Sequence, residues 1–295
     1  MTPDEFRRLQ LVELEAIKEV DRVCRQNDIR YVIFCGTQLG AVRHKGYIPW
    51  DDDADIAMLR EDYEKFKTVC NQLNPDIAFF QDHSTDPEYR WGYAKIRRTG
   101  TSYIRLGQEH MKHKDGISID IFPLDSAEKD GLINKIRNKR ILLKSILIRN
   151  HCITTDNRGF IKAIIKKCAK YFNLSKLHNS LEQLMISNKG KKTKYIANYL
   201  GAYAEKEIIL RKVIGQPKLY DFEGNRFFGV EDYDSYLKSL YGNYMEFPPM
   251  DKRTFKHNFF YLDFLHPYRE FVNSISSDYE LRDDAKSIEK EPLVE

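Results

Sequence analysis

No run of about 20 apolar residues, the length a membrane-spanning helix needs, occurs in this sequence. Its most apolar stretch, residues 141–148, is interrupted by Lys144. Residues 1–8 are polar and charged, so no secretory signal is expected. Cysteine is scarce and odd in number, with five residues at positions 24, 35, 70, 152 and 168 and no C-x-x-C pair. That excludes a zinc ribbon and a disulfide framework, and it fits a reducing compartment. Internal repeats and low-complexity tracts are also lacking. A cytoplasmic location is the expectation.

What is present is material for a core. Hydrophobic residues make up 42% and charged residues 31% of the 295 positions, a globular composition. The length suits one large domain, or a core with an added lobe. The net charge of +4 hides an asymmetry: residues 129–194 hold 17 Lys or Arg against three acidic residues, Asp130, Asp156 and Glu182. The remainder is therefore net acidic. Such a basic block reads either as a solvated helical face or as contact with an anionic partner: a membrane surface, a polyanionic glycan or nucleic acid.

The pattern alternates helices and short strands. Residues 3–26 read as a helix, with Thr2 and Glu5 at capping-box spacing, Pro3 at the first helical position, and an apolar stripe of Phe6, Leu9, Val12, Ala16, Val20 and Val23. Residues 29–35 form a strand ending at Gly36, residues 37–44 a short helix, 56–59 a second strand and 61–73 a helix. Strands are expected at 77–81, 93–97 and 117–122, and helical periodicity at 131–190. Glu223-Gly224-Asn225 marks a hairpin within 219–230, and a helix over 233–241 stops at Gly242. The expected organisation is a catalytic core at 1–128, a basic helical lobe at 129–200, a completing hairpin and helix at 201–272, and a polar tail at 273–295.

Chemistry concentrates in WDDDADIAM, where Asp51, Asp52, Asp53 and Asp55 fall within five positions. Carboxylates about 4 Å apart repel by ~4 kcal/mol at an effective dielectric near 20, so a fold keeps such a cluster when a cation compensates it. In an extended segment Asp51, Asp53 and Asp55 share one side and Asp52 points away. Oxygen ligands on one face suit Mg²⁺ or Mn²⁺. A third carboxylate is expected from another strand. Asp120 in ISIDIF is the candidate, because Ile117, Ile119 and Ile121 face the core and Ser118 and Asp120 the other side. Gly36 and Thr37, at a strand-to-helix junction, offer backbone N–H groups to a phosphate. Arg43 and Lys45 after that helix, and Lys95 and Arg97 on one strand face, are phosphate-binding candidates. The cluster also resembles a calcium loop, but Ile56 stands where glycine is required and Asp62 where glutamate is. His110 and His113 have helical metal spacing without a completing ligand and read as surface residues.

These residues resemble a known family. GTQLGAVRHKGYIPWDDDADIAMLREDYEKF at 36–66 is similar to the signature of LicD-family phosphotransferases, to which fukutin-type proteins are related. KIR at 95–97, IDIFPLD at 119–125, and FEGNRFFGVEDYDSYLKSLYGNYMEFPP at 222–249 followed by Arg253 and His257 resemble its further blocks. Ala54 departs from the β-branched residue the family often carries. The resemblance implies an α+β nucleotidyltransferase fold of the DNA polymerase β type, a small mixed sheet with flanking helices. It implies transfer of a phosphorylated alcohol, usually phosphocholine, from a CDP-activated donor to a sugar hydroxyl of a cell-surface glycan precursor. It places metal on Asp53 and Asp55, with Asp51 and with Asp120 as the third carboxylate. A glycan or lipid-linked glycan acceptor, peripheral membrane contact through 129–194, and no nucleic-acid partner are expected. If choline is the cargo, Tyr233, Tyr236, Tyr241, Tyr244 and Phe247 are candidates for its ammonium, or else core. A nucleotidyltransferase moving a whole NMP, and a non-catalytic polyanion- or membrane-binding protein, are the alternatives.

Overall fold

The first helix, α1 (Pro3–Gln26), forms where its caps predict, with the Thr2 hydroxyl accepting the Glu5 N–H and the Glu5 carboxylate accepting the Thr2 N–H. Its stripe packs on a mixed sheet in a computed structural model that describes residues 1–152, 172–254 and 258–267. The sheet strands are β1 (Val32–Ile33), β2 (Asp55–Leu59), β3 (Ala78–Gln81), β4 (Ala94–Arg98), β6 (Ser118–Ala127), β9 (Lys218–Phe222) and β10 (Asn225–Gly229), in the order β3-β4-β6-β2-β1-β10-β9. The β2–β6 and β1–β10 pairs are parallel and the others antiparallel. Two further strands, β7 (Tyr195–Ala197) and β8 (Ile208–Leu210), extend the far end of β6. A separate ribbon pairs β5 (Ser102–Arg105) with β11 (Phe259–Asp263).

Side-chain alternation divides the sheet into two faces. Ile56 and Met58 of β2, and Ile119 and Ile121 of β6, join a core under α1 and α3 (Arg60–Val69). Ala57 of β2, and Phe122 and Leu124 of β6, join a second core. That core lies under α2 (Cys35–Arg43), α4 (Leu132–Cys152), α5 (Leu174–Met185), the short α6 (Arg211–Ile214) and α7 (Tyr233–Tyr241). Asp55, Lys95 and Asp120 have the parity of this second face. The architecture is α+β, a mixed sheet flanked by helices.

Several boundaries differ from the sequence reading, each for a local reason. The strand expected at 29–35 shrinks to Val32–Ile33. Ile29 N–H still closes α1 on the Cys24 carbonyl, and Cys35 already starts α2 in the left-handed region at φ +44°. The strand expected to stop at Phe122 runs to Ala127 through Pro123. On that edge β4 pairs only as far as Ile121 and β7 only from Asp125, so the missing N–H falls between them. The helix expected over 61–73 is α3 followed by a 3₁₀ turn at Cys70–Gln72. The hairpin turn is as read: Glu223 and Gly224 both take positive φ, 51° and 68°, the pair a two-residue turn requires. Strands β5, β7, β8 and β11 were not foreseen. Helical periodicity over 131–190 materialises as α4 and α5, and residues 153–171 of that stretch lie outside the described residues.

The two layers are pinned by one buried ion pair. Arg60 at the start of α3 holds Asp125 of β6 with two hydrogen bonds, Nε–Oδ1 at 2.8 Å and Nη2–Oδ2 at 2.7 Å. Its Nη1 also reaches Glu182 of α5 at 2.7 Å. Replacing Arg60 with alanine would strand a carboxylate that is 1% exposed. Arg60→Ala is therefore expected to lower stability by about 3–5 kcal/mol in urea denaturation. A loss below ~1 kcal/mol would show that the pair does not hold the layers together.

Candidate active site

The acidic segment sits in a braced loop. Asp51 N–H closes a turn on the Ile48 carbonyl at 2.9 Å. From α1, the buried Gln10 amide donates to the Ile48 and Asp51 carbonyls at 3.3 and 3.0 Å. From the hairpin turn, Glu223 accepts Tyr47 N–H at 3.0 Å and pairs with Arg7 at 2.5 Å. Strand pairing begins only at Asp55. The expected alternation is corrected accordingly. Asp52 does not point away, because residues 51–54 are not strand, and carboxylate oxygens of Asp51, Asp52 and Asp53 lie within 4.8 Å of one another. Asp51 and Asp52 are buried.

Beside this cluster, three strands bring a second set together. Asp120 of β6 is the direct register partner of Asp55 on parallel β2 and of Lys95 on antiparallel β4. Neighbouring strands are about 4.8 Å apart. Lys95, Asp120 and Asp55 therefore form a row, and the Lys95 ammonium contacts the Asp120 carboxylate. Burial lowers the Lys95 pKa, and Asp120 works against that shift. Asp53, Asp55 and Asp120 line a cavity of about 480 Å³ together with Gly36, Arg105 and the rings of Trp91, Tyr93, Tyr203 and Tyr241. Ser145, Ile148 and Arg149 of α4 and Leu181 of α5 complete its wall.

Other expected residues take different positions. A Cβ on Gly36 would lie 2.3 Å from Asp51 Oδ2, so the start of α2 already faces an anion from the chain itself. The Thr37 hydroxyl accepts Asp55 N–H at 2.8 Å, fixing the strand on which Asp55 stands. Arg43 lies outside the cavity lining, donating to the Tyr244 and Glu246 carbonyls at 2.7 and 3.2 Å and stacking on Phe247. Lys45 is likewise outside the lining, in a left-handed turn at φ +59° whose carbonyl accepts Glu223 N–H. Arg97 is buried against Asp115 at 2.9 Å and Gln81 at 2.7 Å, a structural engagement. Of the aromatic candidates only Tyr241 reaches the cavity. Tyr236 is core, stacked on Phe34 at 4.8 Å. His110 is exposed as expected, but His113 is corrected to a buried residue, edge-on to Tyr89 at 5.6 Å. Arg253 lies over Trp50 and Phe247, and His257 lies outside the described residues.

Three groups at the site escaped the sequence reading. Glu13 of α1 is 1% exposed, and its Oε2 has no hydrogen-bond partner among the described residues. Its carboxyl is held well above the usual range, by burial first and then by Asp53 and Asp52. The available signal was a polar pair, Gln10 and Glu13, on an otherwise apolar helix stripe. Arg105 of β5 is a cation on the cavity wall. Burial opposes its charge, but Tyr103, Asp120, Asp52 and Asp53 outweigh that and raise its pKa. Glu207 organises the loop carrying Tyr203, accepting Tyr203 N–H at 2.8 Å and the Asn198 amide at 2.6 Å. No local pattern marks it.

The donor set is all carboxylate, with Asp53 common to the turn cluster and the cavity. Such oxygens fit a hard divalent cation. Near them Glu13 is buried, and Asp53 and Asp52 add to burial in holding its carboxyl well above the usual range.

Residues 28–141, which hold every one of these aspartates, match the family model described as LicD/FKTN/FKRP, nucleotidyltransferase domain. Over that stretch the chain resembles the LicD family. Over 259 residues it is 28% identical to the lipopolysaccharide cholinephosphotransferase LicD of Haemophilus influenzae, covering 85% of this chain and 96% of that protein. Shorter matches join it to uncharacterized proteins of Rickettsia typhi (43% identical over 69 residues, 23% of this chain and 22% of the relative) and Rickettsia prowazekii (46% over 59 residues, 20% and 22%).

Burial pushes the Glu207 carboxyl up to about 7 from 4.5, against the opposing pull of Tyr203 N–H, Asn198 and Arg149. The folded state then binds the proton more tightly than the unfolded chain. This group's contribution to stability is full below pH 4.5 and is lost as pH rises toward 7. Glu207→Gln cannot titrate. Its stability relative to wild type is expected to improve by ~1 kcal/mol or more across that window. Parallel stability curves for the two proteins from acid to neutral pH would refute the assignment.

Proposed function

We propose that this chain is a LicD-type transferase that moves phosphocholine from CDP-choline to a sugar hydroxyl of a cell-surface glycan precursor. The observation that carries the reading is the placement of Asp53, Asp55 and Asp120 on one cavity wall, inside the LicD-family match. The relative named as a lipopolysaccharide cholinephosphotransferase, alike over most of both chains, supports the cargo and a glycan acceptor. The parallel β2–β6 pair with its acidic row, preceded by strand, Gly36-Thr37 and helix, supports a nucleotidyltransferase-like core.

Each residue has a definable task. Asp53, Asp55 and Asp120, with Asp51 and Asp52 beside them, would hold Mg²⁺ or Mn²⁺. Bound there, such a cation supplies charge neutralisation to a diphosphate and to the phosphorus under attack. Arg105 presents a cation on the cavity wall to the donor's phosphates. Lys95 holds Asp120 in place beside Asp55. Asp120 is the group we assign to receive the proton of the attacking sugar hydroxyl. Gln10, Thr37 and Gly36 fix the acidic loop and strand, so these carboxylates need little rearrangement during transfer.

The acceptor reading extends to the surface. The exposed face of α4 carries Leu132, Ile136 and Leu143 at helical spacing, with Ile133 beside them. Lys135, Lys139 and Arg140 flank this face. Lys129, Lys135, Lys139, Lys194 and Lys206 also ring a cavity of about 880 Å³ at the same end of the helix. Apolar residues amid lysines fit an anionic bilayer, and the other half of α4 lines the carboxylate cavity. We therefore assign this face to peripheral membrane contact, which would bring a lipid-linked acceptor to the site.

Asp55→Asn and Asp120→Asn are each expected to cut CMP release from CDP-choline by about 10²–10⁴-fold while retaining a cooperative thermal transition. Chelation of divalent cations should abolish wild-type transfer, and Mg²⁺ or Mn²⁺ should restore it. Wild-type rates in both variants would sink the assignment, and release of pyrophosphate in place of CMP would indicate NMP transfer. For the membrane face, Ile133→Glu with Ile136→Glu should abolish co-sedimentation with phosphatidylglycerol vesicles. Binding unchanged by the double substitution, or equal on vesicles of neutral lipid, would remove α4 from the account.

A further inference from the structure

The cavity that holds the carboxylates is walled on another side by aromatic rings. Trp91 and Tyr93 stand 6.0 Å apart at 38°, and Tyr203 and Tyr241 meet edge to face at 5.4 Å and 85°. All four line the cavity, and all four are half-buried. Core rings elsewhere behave differently: Tyr236 and Phe34, stacked on each other, are 0% and 1% exposed. These two pairs are only partly buried, and all four residues belong to the cavity lining.

They come from distant parts of the chain and are held side by side. A Cβ on Gly92 would meet the Leu200 side chain at 3.0 Å, so the Trp91–Tyr93 segment packs on the loop that leads into Tyr203. That loop is tied down from below. Glu207 accepts Tyr203 N–H and the Asn198 amide, and a Cβ on Gly201 would lie 2.1 Å from its carboxylate oxygens. Tyr93 is the backing ring of the set. Lys95 Nζ lies 5.4 Å from its centroid and Phe122 packs against it at 4.7 Å. Trp91, Tyr203 and Tyr241 supply the remaining walls.

Ring faces and a nearby carboxylate row suit one type of cation. A primary ammonium is best held by hydrogen-bond acceptors. A quaternary ammonium has no N–H and presents only methyl groups, for which π faces are the complementary surface. We propose that Trp91, Tyr203 and Tyr241, backed by Tyr93, form a box for the quaternary ammonium of the transferred alcohol and set the preference for an N-methylated cargo. Tyr203 and Tyr241 lie outside the 28–141 match, so cargo choice is built by parts of the chain beyond the family domain. The inference rests on the cavity being the transfer site. It adds the substrate feature that the site selects.

Calorimetric binding of phosphocholine and phosphoethanolamine to the full chain tests the box without turnover. Wild type is expected to prefer phosphocholine about tenfold or more. Tyr203→Leu and Tyr241→Leu should each lose most of that preference, and Tyr203→Phe, which keeps the ring, should restore it. If a leucine variant fails to fold, the indole emission of the wild type keeps the test open, with phosphocholine shifting it and phosphoethanolamine not. Equal binding of the two ligands, or a preference that survives both leucine substitutions, overturns the box. Failure of the transfer reading shows separately, as absent CMP release from CDP-choline by a wild type that still discriminates the two phospho-alcohols.

Discussion

Six acidic side chains crowd one corner of this protein, and their mutual repulsion is the constraint around which the fold is arranged. Asp51, Asp52 and Asp53 converge in a turn, Asp55 and Asp120 stand abreast on adjacent strands, and Glu13 is buried behind them. The aspartate charges, brought this close, oppose one another by several kcal/mol in aggregate at protein-like dielectric values. The chain answers with geometry. Lys95 sits on Asp120; Asp120, Asp52 and Asp53 raise the pKa of Arg105 on the cavity wall; and the start of α2 approaches Asp51. Gln10 and Glu223 brace the loop through its backbone, where no further charge is added to the cluster. Stability spent on holding like charges together is characteristic of a site kept for its chemistry.

The two-faced sheet turns that constraint into a cavity. One face, under α1 and α3, is largely an apolar core. The other shares its area between a second core and the acidic row, and α4, α5 and the 198–203 loop close over it. The Arg60–Asp125 pair fastens these layers at the far end of β6, away from the carboxylates. The same strand therefore serves two ends. Asp120 near its start belongs to the site, and Asp125 near its finish belongs to the scaffold. Helix α4 spans from the cavity wall to an exposed apolar face beside a lysine-lined cavity, so one element joins the site to that surface.

Much of this was legible in one dimension where the physics is local. The capping box at Thr2, the positive-φ turn at Glu223-Gly224 and the Gly242 stop each depend on a few neighbouring residues, and each formed as read. The parity of Asp120 against Ile119 and Ile121 also held, because alternation in a strand is a backbone property. Parity failed for Asp52 because residues 51–53 lie in the turn before β2, ahead of the Ala54 carbonyl at which hydrogen bonding to β6 begins. The cations were the least legible part. Arg43, Lys45 and Arg97 are near the aspartates in sequence or motif, yet backbone carbonyls, an aromatic ring and Asp115 occupy the two arginines, and Lys45 lies outside the cavity lining. Arg105 came to the cavity on an unforeseen strand.

The sequence by itself determined the acidic cluster, the glycine junction, the side of its strand on which Asp120 stands and most of the helices, since spacing and propensity act over a few residues. Only the tertiary structure decided which cation faces the carboxylates, that Glu13 stands behind them, and that rings from positions 91, 93, 203 and 241 wall one cavity. The rings among them come from residues more than a hundred positions apart, and Glu13 and Arg105 reach Asp53 across tens of positions. Burial, strand order and the packing of α4 and α5 create them, and a one-dimensional pattern carries no record of such distances.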